Sequence, residues 1–82
     1  MELKETIELM NSENWVERFK AEYYQAKIRQ DKLHQMIVKA QAGTLGFKPN
    51  CPLELLREQE KCMGAYIQCL EIRSEIEGIK LD

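Results

Sequence analysis

The sequence predicts an all-α fold: an antiparallel two-helix hairpin with a short N-terminal helix, assembled as a homo-oligomer. Three observations predict it. Two long stretches carry apolar residues three and four apart, the spacing of a helix face. A corner, Gly43-Thr44-Leu45-Gly46-Phe47-Lys48-Pro49-Asn50-Cys51-Pro52, separates them with two Gly and two Pro, which stop one helix and restart another. Both stretches carry more apolar rows than a single partner helix can cover.

Residues 1–12 form a short N-terminal amphipathic segment, with Leu3, Ile7 and Met10 on one helical face. Asn11-Ser12 supplies a break and an N-cap, and Glu13 suits the first turn of the helix that follows. Residues 13–82 form the hairpin domain, with its corner at 43–52. Its first helix, from about 13 to 42, presents a seam of Val16, Phe19, Tyr23, Ala26, Gln30, Leu33, Ile37 and Ala40. Tyr24, Ile28 and Val38, with Met36, lie off that seam and call for other cover. The second helix opens at Pro52 and runs from Leu53 to about Glu77. It carries three rows at seven-residue spacing: Leu56, Met63 and Leu70; Leu55, Cys62, Cys69 and Ile76; and Ala65, Ile72 and Ile79. Gly64 inside it suits a close helix crossing or a ligand's approach, and a merely tolerated glycine accounts for it at least as well.

An 82-residue chain has a thin core, and small chains supplement one with disulfides, a metal or oligomerisation. Its three cysteines include no CxxC pair, and Cys62 and Cys69 lie two turns apart, too far to bridge within one helix. Reduced cysteines fit a cytosolic setting. The N-terminus lacks a secretory apolar run, and no segment approaches the roughly 18 apolar residues of a membrane span. The net charge of -2 disfavours a dedicated nucleic-acid binder. Charge is uneven: residues 11–42 hold six Lys/Arg against four acids, and residues 53–82 hold four against seven.

Catalysis finds little support, and no cofactor or metal is expected. The one histidine, His34, lacks the converging ligands of a metal site, and no nucleophile stands with a base and an orienting group. Glu58/Glu60 and Glu75/Glu77 are two apart and do not share a helix face. The run from Trp15 to Arg29 is more suggestive, because it interleaves aromatics with Arg18, Lys20, Lys27 and Arg29. Aromatic rings stack on bases at about 1–3 kcal/mol each, and basic side chains pair with phosphate. Packing on the seam accounts more readily for Phe19 and Tyr23, and solubility for the basic residues.

Several segments resemble a known family. Glu17-Arg18-Phe19-Lys20-Ala21-Glu22-Tyr23-Tyr24, then Lys27-Ile28-Arg29 and Lys32-Leu33, look like its first helix. Phe47, Pro49 and Pro52 look like its corner, and Leu55-Leu56-Arg57-Glu58-Gln59, Met63, Tyr66, Leu70 and Arg73 like its second helix. This is similar to the small phage-encoded helical-hairpin proteins grouped with the anti-CBASS and anti-Thoeris sponges. The resemblance implies a homo-hexamer that binds cyclic di- or trinucleotides, or cyclic ADP-ribose-type signals, and holds them undegraded in the cytoplasm of an infected bacterium. In the anti-CBASS members a first-helix Lys meets phosphate and an upstream aromatic stacks on a base. Lys27 is the matching Lys, with Arg29 beside it; Trp15 or Phe19 stands in for the aromatic, and Arg57 and Arg73 are further ligand candidates. Rival readings are a helical oligomerisation or adaptor module that binds another protein, and a weak nucleic-acid binder using the basic first helix.

Overall fold

The computed structural model describes residues 1–81, which are helical apart from short connections and contain no strand. A 3-10 turn at Leu3–Thr6 runs into the short helix α1 (Ile7–Met10). Two long helices follow, α2 (Trp15–Ala42) and α3 (Leu53–Glu77), packed side by side as a hairpin 43 Å long.

The start of α2 differs from expectation. Asn14 is the cap, its Oδ1 accepting from the Val16 N–H at 2.9 Å. Ser12 supports it one step upstream, its Oγ accepting from the Asn14 N–H at 3.0 Å. At the other end Gly43 takes φ +78°, and the N–H groups of Gly43 and Thr44 donate to the carbonyls of Ala40 and Lys39. This double closure satisfies carbonyls that a helix end leaves open, and it needs the left-handed conformation that glycine adopts without strain. Gly78 ends α3 likewise at φ +71°, with Ile79 N–H donating to the Ser74 carbonyl at 2.8 Å.

That second turn corrects one expected row. Ile79 does not continue the line of Ala65 and Ile72, because the helix ends at Glu77 and the Gly78 turn carries Ile79 inward to 8 % exposure. There it joins Phe19, Tyr23, Ile67 and Leu70, with Val16, Tyr24, Ala26 and Leu81 packed around them. The main apolar cluster therefore sits where α2 begins and α3 ends, away from the corner. The expected α2 seam is buried or half-buried along its whole length.

The N-terminal segment also turns a different face inward. Leu3, Thr6 and Leu9 are covered, whereas Ile7 and Met10 are about half exposed. The 3-10 turn explains this, since residues three apart eclipse there. The segment lies along α2, with Gln25 Nε2 donating to Thr6 Oγ1 at 2.9 Å and touching the Met10 sulfur. Fully buried Ala21, and Ile28 facing a hollow shared with Met1 and Leu3, lie on the surface of α2 turned to it. Part of the apolar surplus on α2 is thus covered from within the chain.

Candidate functional site

The two long helices are pinned by polar pairs across their flanks. Tyr23 Oη donates to Glu71 at 3.2 Å, and Tyr66 Oη donates to Glu22, so each helix lends the other one phenol and one carboxylate. Nearer the corner, His34 Nδ1 lies 2.8 Å from Glu60 Oε1, and with the Gln41 amide assigned so that its oxygen faces Arg57, Arg57 Nε donates to that oxygen at 3.2 Å. Gly64 faces Gln30: a Cβ at that position would lie 3.1 Å from Gln30 Nε2. The polar break in the α2 seam thus meets the one α3 residue without a side chain. Burial raises the Tyr23 pKa above its ordinary 10.0, and the hydrogen bond and charge of Glu71 raise it further.

The candidate ligand residues are distributed along and around this rod. Trp15 opens α2 and is 50 % exposed. Phe19 is 4 % exposed, and its ring carries the Arg73 guanidinium 4.8 Å from its centre. The core therefore claims Phe19, and Trp15 is the more accessible ring of the two. Arg73 also places Nε 3.0 Å from Glu77 Oε2. Lys27 is half-exposed, 3.9 Å from Asp31 one turn on, a weak contact that a phosphate would readily displace. Arg29 is exposed and makes no ion pair among the described residues. Arg57 is exposed and engaged with Gln41. Arg18, a basic neighbour in the same run, donates through Nη1 to the Ser12 carbonyl at 2.7 Å and ties the start of α2 to the preceding break.

Of the six, Phe19 and Arg73 meet within one protomer, whereas Lys27, Arg29 and Trp15 do not converge. Residues two apart on a helix point to well-separated sides, so Lys27 and Arg29 flank α2 on opposite sides. Twelve residues separate Trp15 from Lys27, about 18 Å along the axis. One hollow, about 560 Å³, is lined by Tyr23, Gln68, Glu71, Ile72, Ser74, Glu75, Ile79, Lys80 and Leu81. Its two carboxylates, Glu71 and Glu75, outnumber its one cation, Lys80, which does not suit an anion. Hollows beside the N-terminal segment and beside the corner contain none of the six candidates either.

Sequence reasoning missed the reciprocal tyrosine–glutamate pairs and the contacts of Arg18. The pairs depend on which residue of one helix stands opposite which of the other, and spacing within a helix does not carry that. Among the described residues no three His, Cys, Asp or Glu side chains converge to hold a metal ion, and no helix is long and apolar enough to cross a membrane. All three cysteines are free and exposed.

A family model described as Sequestin matches residues 13–76. That span takes in α2, the corner and nearly all of α3, and the chain belongs to the Sequestin family. No curated protein and no solved structure matches it.

Proposed function

We propose that this Sequestin-family chain is a phage anti-defence sponge: a homo-oligomer, a hexamer, that binds cyclic di- or trinucleotide or cyclic ADP-ribose-type immune signals in the host cytoplasm and holds them unaltered. The family match over residues 13–76 carries the reading, since its name denotes sequestration. The geometry supports it in two ways. Sequestration asks for affinity without chemistry, and Lys27 and Arg29 lie on the helix surface with only one weak ion pair, that of Lys27 with Asp31, among the described residues. The separation of Lys27 from Arg29 and Trp15 suits a pocket shared between copies, where a symmetric ligand receives the same Lys from each.

In this reading Lys27 and Arg29 hold phosphate, and Trp15, with Phe19 as the second choice, stacks on a base. Arg57 and Arg73 are reserve cations, since both already have partners within the chain. Lys27→Ala removes a charge-assisted hydrogen bond worth about 1.5–3 kcal/mol per copy, so affinity falls by about tenfold to a hundredfold for each copy facing the ligand. The fold survives, because the side chain is half-exposed and Ala is a good helix former.

The deciding experiment mixes the purified protein with cyclic di- and trinucleotides and cyclic ADP-ribose isomers, removes free ligand, heat-denatures the protein and identifies what is released. Recovery of one intact ligand supports the reading; a cleaved product or no retained ligand overturns it. The alternative is an adaptor that binds another protein. The observation favouring it is the exposed apolar flank of α3, where Leu55 is 56 % and Ile76 79 % exposed.

A further inference from the structure

The side of α3 facing away from α2 is apolar and uncovered. Leu55, Cys62, Cys69 and Ile76 recur every seven residues along it, all exposed, with Ala65 and Ile72 beside them. In coiled-coil terms these are the a and d positions of a helix seam, with Glu58 as the one charged member. The flanking residues determine which partner fits. A parallel second copy would set Glu58 against its own counterpart, two like charges on an apolar seam. An antiparallel copy, related by a two-fold axis level with Ile67, sets Ala65 against Cys69, Cys62 against Ile72 and Glu58 against Ile76, with Leu55 about one turn beyond. Glu58 then falls near the open end of the seam, within one turn of Arg73 of the second copy. Lys61 on one copy lies two residues, about 3 Å along the axis, from the level of Glu75 on the other and on the same flank of the seam, and neither makes an ion pair within the chain among the described residues.

We propose that this outer face of α3 is an isologous interface that takes a second copy of the chain in antiparallel orientation, through an apolar seam bordered by two Lys61–Glu75 pairs. The match between the face and its own reversed copy points to self-association rather than to an unrelated protein. The proposal builds on the homo-oligomer part of the function proposed above and assigns that assembly one of its seams.

The test combines three readouts on the full-length chain. Cys69→Glu places a carboxylate on the seam at a position exposed in the single chain, so helicity by circular dichroism stays unchanged while the mass by light scattering drops. The dissociation constant of the seam rises by more than about 100-fold. Lys61→Glu and Glu75→Lys each weaken assembly by about two- to fivefold, and the two together restore it. Single-cysteine chains, one keeping only Cys69 and the other carrying only Ala65→Cys, form a mixed disulfide under mild oxidation, which also tests the orientation should Cys69→Glu fail to fold. A monomeric wild type, an unchanged mass in folded Cys69→Glu, or cross-linking of Ala65→Cys chains chiefly to each other overturns the proposal. Ligand retention is scored separately. An assembly that holds nucleotide yet ignores Cys69→Glu removes this seam and leaves the sponge standing. An assembly broken by Cys69→Glu that never held nucleotide keeps the seam and removes the sponge.

Discussion

The two ends of the hairpin are held by different means. Where α2 begins and α3 ends, Phe19, Tyr23, Ile67, Leu70 and Ile79 form a buried apolar cluster. Toward the corner, Ile37 is buried and Leu33, Ala40, Leu53 and Leu56 are half-buried, flanked by the exposed or half-exposed pairs His34–Glu60 and Gln41–Arg57. The corner itself leaves Phe47 61 % exposed. The connection that joins the helices in sequence is therefore not what holds them together. The cluster farthest from it does that, and it closes only when residues some 50 positions apart meet. Apolar burial is worth about 25 cal/mol per Å² whereas exposed ion pairs contribute about 1 kcal/mol or less, so the stability of the hairpin is concentrated at one end.

The largest test of this difference is a cavity. Leu70 is 2 % exposed, and Leu70→Ala costs about 2–5 kcal/mol. Phe47→Ala at the corner changes stability by no more than about 0.5 kcal/mol. Equal losses in denaturant titrations would show that the ends share the load. A smaller effect comes from the two glycine turns. Gly78 and Gly43 both have positive φ with open space around them, so Ala imposes about 1 kcal/mol of backbone strain at either. After Gly78 comes buried Ile79, and after Gly43 comes exposed Thr44. Gly78→Ala therefore lowers the melting temperature more than Gly43→Ala. The reverse order would mean that the corner turn sets the fold.

The smallest effect is one of pH. The folded Tyr23 pKa lies above its unfolded value of about 10, so the native state favours the neutral phenol. The stability from this shift is fully present below pH 10 and is lost as pH rises through the higher native value. Tyr23→Phe lowers the neutral-pH stability by about 1 kcal/mol and flattens the alkaline decline. An equally steep decline in that variant would assign it to another group.

Both long helices were legible in the sequence because the cues are local. Apolar residues three and four apart mark α2 and α3, and Gly43 and Pro52 mark where one stops and the other starts. The N-terminal face was misread because Leu3–Thr6 winds as a 3-10 turn, and a pattern drawn for 3.6 residues per turn selected Ile7 and Met10 in place of Thr6 and Leu9. Ile79 was misread because its row was extended past Gly78, although a glycine at that point is itself a stop signal. The cap was placed at Asn11-Ser12, but the Asn14 side chain reaches the helix. The opposition of Lys27 and Arg29 follows from spacing alone. The stacking of Arg73 on Phe19 does not, because it depends on the register between the two helices.

The antiparallel course of α2 and α3 has an electrostatic consequence for any anion the molecule holds. A helix carries about half a positive charge at its N-terminus and half a negative charge at its C-terminus. Here the start of α2 lies beside the end of α3, as the Arg73–Phe19 contact and the packing of Val16 against the cluster that includes Ile79 record. The start of α3 lies likewise beside the end of α2, where Arg57 meets Gln41. The two macrodipoles oppose each other and largely cancel at both tips. A phosphate therefore finds no helix-end field to lean on, and its retention falls to discrete side chains such as Lys27 and Arg29, which makes binding steeply sensitive to losing any one of them.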